Sequence, residues 1–289
     1  SLIGLFAGVG WLLFPFVGGS GILVMHVSDS ATEESTQLLE GEVPIVSTMV
    51  DAAGNPIAWL YEQRRWVVPS NRIAPTVKLA IVAIEDKRFT EHDGVDWQGT
   101  LTGLAGYLNG NSDTRGGSTI EQQYVKNFNL LVKATTDAER RAAIAITPAR
   151  KLREIRAALA LNAALPKAEI LARYLNLVSF GNGSFGVQDA ARTYFGINAA
   201  DLNWQQAALL AGLVRSTSSL DPYTHPEAAL ERRNLVLDTM IDNLPDKADE
   251  LRAAKAAPLG VLRRPDPLPQ GCIAANDRAF FCEYAMRYL

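Results

Sequence analysis

Cysteine is almost missing from this chain: Cys272 and Cys282 are the only two in 289 residues. Neither belongs to a CxxC motif or to a Cys/His cluster with zinc-ligand spacing, which argues against a zinc site. Their separation of ten positions suits a small disulfide loop outside the cytoplasm. Two free thiols are the alternative, because spacing alone does not bring Cβ atoms together. Excess positive charge is missing too. A formal charge of −3 and a pI near 5.7 give no general attraction to nucleic acid, so no nucleic-acid partner is expected and any phosphate chemistry has to be local. Internal repeats and low-complexity tracts are also lacking. What is present is 48% apolar residues, enough to bury a sizeable core.

The most conspicuous absence is at the start, where Ser1 to Met25 carries no charged side chain. Such a run is long enough to cross a bilayer. Six glycines and Pro15 lower its helicity, but in lipid the backbone has to satisfy its own hydrogen bonds, which favours a helix. We expect a transmembrane anchor over 1–27. A secretory signal peptide is the alternative, although the run exceeds a usual apolar core and no clear A-x-A site follows. Asp29, Glu33 and Glu34 come next, and the first basic residue is Arg64, so the positive-inside bias puts the following domain outside a cytoplasmic membrane, as a single-pass protein. The chain opens on Ser1, and a basic cytoplasmic flank is expected before it.

Residues 28–74 read as a juxtamembrane connector and a β-hairpin, with VPIVSTMV and PIAWLYEQRRWVVP on either side of a DAAGN turn. From Pro75 the apolar spacing becomes helical. Helices are expected over 75–85, 97–107, 118–131, 148–165, 167–175, 187–195, 203–214 and 226–244, with a last one over 246–257. Glycine-rich loops separate them, notably SFGNGSFG at 179–186. The fold class is mainly α. The run PLGVLRRPDPLPQG reads as the start of a linker over 258–289.

Three constellations carry chemistry. In EDKRFTEHDGVD, Glu85 to Asp96, an apolar helix ends in two carboxylates. A Glu against an apolar wall loses hydration, which suits it to accept a proton from a sugar hydroxyl. The plainer alternative pairs Glu85 and Asp86 with Lys87, Arg88 or a distant Arg, and makes His92 a hydrogen-bonded turn residue. In RGGSTIEQQYVKN, Arg115 to Asn127, two glycines and two hydroxyl residues open a helix whose N–H groups can receive an anion. Gln122, Gln123, Lys126 and Asn127 add amides and an ammonium. The alternative is a capped amphipathic helix with a solvated face. In PARKLREIRAALAL, Arg150 and Glu154 share a helix face, and Arg150, Lys151, Arg153 and Arg156 concentrate cations suited to a pyrophosphate. An ordinary intrahelical ion pair is the plainer reading.

With KAEILARYLN, FGNGSFGVQDAARTYFG and ERRNLVLDTM, these segments occur in an order that resembles the family 51 peptidoglycan glycosyltransferases, in the setting of actinobacterial class A penicillin-binding proteins, over about residues 77–243. The resemblance implies a lysozyme-like multi-helix domain over 75–257. It makes Glu85 the catalytic carboxylate, with Asp86, Phe89, His92, Gly94 and Asp96 completing its signature. Gly117, Ser118, Thr119, Gln122, Gln123, Lys126 and Asn127 are implied donor contacts, with Arg150, Lys151 and Glu154 as the third group and Arg232, Arg233 and Asn234 as a structural signature. Three departures stand out: the 129–147 segment is long, and Asn162 and Ala172 occupy positions often acidic in such proteins.

The implied substrates are lipid II and a growing lipid-linked glycan at the membrane, with other wall-synthesis proteins as partners. Glu85 is expected to deprotonate the acceptor 4-hydroxyl as it attacks the anomeric carbon, inverting an α-linked donor to a β-1,4 bond and releasing undecaprenyl pyrophosphate. Lys126, Arg150 and Lys151 are expected to neutralise that leaving group, with Glu154 orienting them or, in the weaker alternative, acting as acid. No cofactor is obligatory; a divalent cation such as Mg²⁺ at the pyrophosphate is the one candidate. A lysozyme-like lytic enzyme and a non-catalytic membrane scaffold are the competing readings. No SxxK followed by KTG is present, so penicillin binding is not expected of this chain, and a transpeptidase domain is expected beyond the linker.

Overall fold

The computed structural model describes residues 36–100, 117–265 and 268–288. The anchor expected over 1–27 and the second half of the helix expected over 97–107 lie outside the described residues. Among the described residues, no helix is long and apolar enough to cross a membrane. Residues 36–40 form a helical turn in a unit that ends at Gly41, and all that follows concerns the second unit, Glu42–Leu289.

The hairpin forms where DAAGN predicts it. The Asp51 carboxylate accepts N–H bonds from Ala53 (2.9 Å) and Asn55 (2.8 Å), a side-chain mimic of a turn, and β1 (Ser47–Val50) then pairs antiparallel with β2 (Pro56–Leu60). A further short strand, β3 (Arg64–Arg65), leaves this hairpin for a second sheet.

The helical body begins with α1 (Pro75–Glu85), whose Pro75 sits in the first turn where its missing N–H costs nothing. Next comes α2 (Ile120–Phe128), capped by the Thr119 side chain and running into a π-helical turn, Asn129–Lys133. The long 129–147 segment is thereby partly helical: α3 (Asp137–Ile144) starts in a capping box between Thr136 and Glu139. The cationic signature lies on α4 (Pro148–Ala164), and α5 (Lys167–Leu177) follows. The glycine-rich SFGNGSFG run forms β4 (Ser179–Gly181) and β5 (Ser184–Phe185). Its Asn182-Gly183 turn has φ of 50° and 71°, the pair of positive values that a tight hairpin needs. β5 is central, antiparallel to β4 and parallel to β3.

Four helices complete the body: α6 (Val187–Phe195), α7 (Trp204–Leu213), α8 (Pro226–Asn243) and α9 (Ala248–Ala256). On α7 every residue from Ala207 to Leu213 is buried, as expected of a helix apolar all round. It packs against α1, α8 and α9, while α2 packs against α4 and α5. Two buried arginines lock the small sheet to the helices. Arg64 donates to Asp189 (2.7 Å), Ser184 (3.0 Å) and Thr193 (2.8 Å). Arg65 donates to the carbonyls of Asn176 and Leu177 at the end of α5 and of Pro44, and burial lowers its pKa to about 10. A third buried arginine, Arg233, caps with its guanidinium the carbonyls of Lys255, Ala257 and Pro258 at the end of α9.

The stretch expected to be a linker over 258–289 differs from that reading in its second half. Cys272 and Cys282 are joined by a disulfide, around a 3₁₀ stretch and α10 (Ala279–Met286). This segment returns to the hairpin: Gly271 donates to the Trp59 carbonyl (2.7 Å), and Arg278 pairs with Asp51 (2.7 Å). The physical reason is exposed apolar surface. A two-stranded hairpin cannot bury its own inner face, and here Ile57 and Ala58 are covered by Ala275 and Cys282.

Between α1 and a helical turn at 97–100, Gly94 adopts φ of 90° and lies so near α4 that a Cβ would stand 2.6 Å from the Ala158 carbonyl oxygen. Gly94→Ala is therefore expected to lower stability by about 2 kcal/mol or more, seen as a lower denaturation midpoint at unchanged slope.

Candidate functional site

The site is assembled around the first turn of α2. α1 ends at Glu85, and Asp86 turns away from it as the cap residue. Its carboxylate is buried, accepts the backbone N–H of Ile120 at the start of α2 (3.0 Å), and meets His92 Nε2 at 3.0 and 3.1 Å. A carboxylate at a helix N-terminus is favoured by the free N–H groups and by the helix dipole. Thr119 closes the same turn from the other side: its hydroxyl donates to the Gly94 carbonyl (2.7 Å) and accepts from Gln122 N (3.3 Å). Arg88, one of the partners considered for the two acids, pairs with Asp96 (2.5 Å), and Asp96 in turn accepts the Gly99 N–H (2.9 Å).

Of the expected substrate contacts, the side chains of Asp86 and His92 are 4% and 8% exposed, and Phe89, Thr119 and Gln122 are buried. Asp86 and His92 brace each other and the start of α2. Phe89 lies under the Lys167 ammonium (4.6 Å to the ring centre), and Lys167 also pairs with the buried Glu121 (2.6 Å). Among the described residues, one trio of ligating atoms lies within 4.8 Å of one another, from Asp86, His92 and Glu121. The Lys167 ammonium already supplies the positive charge there.

Glu85, by contrast, is only partly buried. Its Oε2 accepts from Gln123 Nε2 (2.9 Å), and the Gln123 carbonyl oxygen accepts from the hydroxyl of Tyr174 on α5 (2.9 Å). One position earlier, Gln122 faces the other way. Its Oε1 accepts from Lys151 Nζ (2.7 Å), and that ammonium also donates to Ser118 Oγ (2.7 Å). Consecutive residues on a helix point about 100° apart, so one turn of α2 holds the carboxylate with Gln123 and the cations with Gln122. Asn127, one turn on, spends its amide N–H on the Gln123 backbone carbonyl (2.8 Å). Gly117, at the start of this run, leaves open space at its Cβ position, the nearest heavy atom being the Gly99 carbonyl oxygen at 4.0 Å.

The cations are clustered by α4 meeting α2. Burial lowers the pKa of Lys151; Glu154 opposes that shift, while Arg150 and Lys126 add to it. Arg150 pairs with the buried Glu154 and donates to the Ala145 carbonyl after α3, while Glu154 Oε2 lies 3.9 Å from Lys151. Lys126 makes no ion pair among the described residues. Both oxygens of Glu154 thus face cations, a donor set that suits anionic oxygens better than a protein-held divalent ion. Arg150, Arg153 and Glu154 line a cavity of about 320 Å³ together with Asn129 and Lys133 of the π turn and Glu139 of α3. Sequence reasoning missed Tyr174 and Lys167. Both lie in KAEILARYLN, where Tyr174 sits among apolar positions of α5 and shows no polar pattern of its own.

Residues 53–241 match the transglycosylase family. The chain is 36% identical to penicillin-binding protein 1A of Streptococcus oralis, over 77% of this chain and 33% of that protein. It is 34% identical to penicillin-binding protein 1A of Streptococcus pneumoniae, over 86% and 33%, and 36% identical to penicillin-binding protein 1A of Mycolicibacterium smegmatis, over 69% and 25%. It spans about a third of the length of the two streptococcal relatives. A crystal structure of penicillin-binding protein 1A from Haemophilus influenzae aligns with 78% of this chain and 22% of that one, at 21% identity and a TM-score of 0.41.

Asp86→Ala leaves the Ile120 N–H and the His92 ring buried without a partner, and is expected to cost about 2–4 kcal/mol of stability. Asp86→Asn keeps an acceptor and should cost distinctly less; equal losses in urea denaturation would count against the brace.

Proposed function

Because the chain belongs to the transglycosylase family, we propose that it is a peptidoglycan glycosyltransferase that polymerises lipid II into β-1,4-linked glycan and releases undecaprenyl pyrophosphate. The observation that carries this reading is the single turn of α2 that joins Glu85 through Gln123 to one side and Lys151 through Gln122 and Ser118 to the other. A base and a leaving-group site have to be held in fixed relation for an in-line displacement.

In this reading the Glu85 carboxylate takes the proton of the acceptor 4-hydroxyl as that oxygen attacks the anomeric carbon. The C–O bond to the pyrophosphate breaks with its electron pair, and the configuration inverts. Pyrophosphate is a stable anion when it leaves, so the need is for charge neutralisation and not for a second acid. Lys151, Lys126 and Arg150 supply it, and Glu154, already held against Arg150, orients them. No cofactor is required. A divalent cation, where one takes part, is carried by the phosphate oxygens of the substrate.

A membrane setting fits the same picture. Trp97, Ile144, Ile146 and Leu152 are half or more exposed, apolar side chains that suit a lipid-borne substrate. With the uncharged run at 1–27, it supports a single-pass protein with its catalytic domain outside the cytoplasmic membrane, as part of a class A penicillin-binding protein of actinobacterial type. Other wall-synthesis proteins are its expected partners.

Incubating the detergent-held chain with labelled lipid II should yield long glycan that lysozyme degrades. Cleavage of finished peptidoglycan instead would mark a lytic enzyme, and glycan binding without product a scaffold. Glu85→Gln should abolish polymer while leaving folding and lipid II binding largely intact; wild-type turnover in that variant would sink the assignment. Lys151→Ala should reduce donor use by about a hundredfold with a smaller effect on stability, and an unchanged donor dependence would count against the pyrophosphate role.

A further inference from the structure

We propose that Tyr174 is a positioning residue for the Glu85 base, acting through the side-chain amide of Gln123. This inference rests on the glycosyltransferase reading and adds a part to it.

A glutamine amide has two nearly isosteric orientations, and its neighbours decide between them. Around Gln123 the neighbours leave no choice. Its Nε2 faces Glu85 Oε2 at 2.9 Å and the Ser118 carbonyl oxygen at 3.5 Å, both of which only accept, and its Oε1 faces the Tyr174 hydroxyl at 2.9 Å. Turned over, the amide would set its carbonyl against a carboxylate and a second carbonyl, losing two acceptors for its N–H groups. Tyr174 anchors the far end of the amide in that orientation, its hydroxyl donating to Oε1. The side chain is fully buried, and burial together with the nearby Glu85 charge raises its pKa well above the usual tyrosine value. It therefore keeps its proton at any pH where a carboxylate base works.

The consequence for Glu85 is directional. One oxygen is committed to Gln123, which fixes the rotation of the carboxylate and leaves the other oxygen for the incoming hydroxyl. Without the Tyr174 hydroxyl the far end of the amide loses its anchor, and the bond that fixes the rotation of Glu85 loosens with it. Tyr174 touches no substrate in this scheme, so its effect should fall on kcat and not on KM.

The test is Tyr174→Phe, which keeps the ring and its packing, assayed as glycan formation from lipid II by the full chain in detergent. We expect a fall in kcat of about tenfold with KM within twofold. Gln123→Met should lower kcat at least as far, and adding Tyr174→Phe to it should change nothing further. An active wild type with an unchanged kcat in Tyr174→Phe, or with the loss falling on KM, overturns the proposal, as does an additive double variant. If Tyr174→Phe fails to fold, Gln123→Met alone decides, and an unchanged kcat there overturns the relay. An inactive wild type instead removes the glycosyltransferase reading itself.

Discussion

The contact on which the site depends is the buried carboxylate of Asp86 against the first N–H groups of α2. A charge that deep is tolerable only when it is paired and hydrogen-bonded, and here three features meet the need together: the Ile120 amide, the His92 ring and the start of a helix dipole. Because Asp86 is the residue next to Glu85, satisfying it determines where Glu85 can stand. The end of α1 is drawn to the start of α2, and Glu85 is left opposite Gln123. The two adjacent acids differ accordingly: the buried one anchors the joint, and the other is only partly buried.

From that joint the remaining parts follow by helix geometry. α2 packs against both α4 and α5, so its first turn is touched from one side by Lys151 and from the other by Tyr174. Glu85 and Lys151 are not on one element, yet each is one hydrogen bond from the same turn. Gly94 contributes by lacking a side chain, since the loop that carries His92 has to pass within reach of the Ala158 carbonyl.

Much of this was legible in the sequence where local physics decides. The period of apolar residues and Pro75 at a helix start placed the helices to within a few residues, and the DAAGN turn placed the hairpin. The carboxylates, amides and cations stood out because polar groups at helix ends attract notice. What stayed hidden was whatever depends on contacts distant in sequence. Nothing local shows that Arg64 and Arg65 are 4% and 0% exposed against Asp189 and the end of α5, or that the Tyr174 hydroxyl meets Gln123. The tail after Pro258 read as linker by composition, because nothing local announces that Ala275 and Cys282 cover Ile57 and Ala58.

The π-helical turn at Asn129–Lys133 bears on how such a chain can vary. A π turn absorbs one extra residue without unwinding the helix before it, so it acts as an expansion joint between a fixed segment and an adjustable one. Upstream, Gln122, Gln123 and Lys126 keep their register; downstream, the path to α3 and on to Arg150 can lengthen or shorten. Insertions after residue 129 can therefore reshape one wall of the cavity while leaving Glu85 and the Gln123 amide untouched, so the two parts of the site can vary separately.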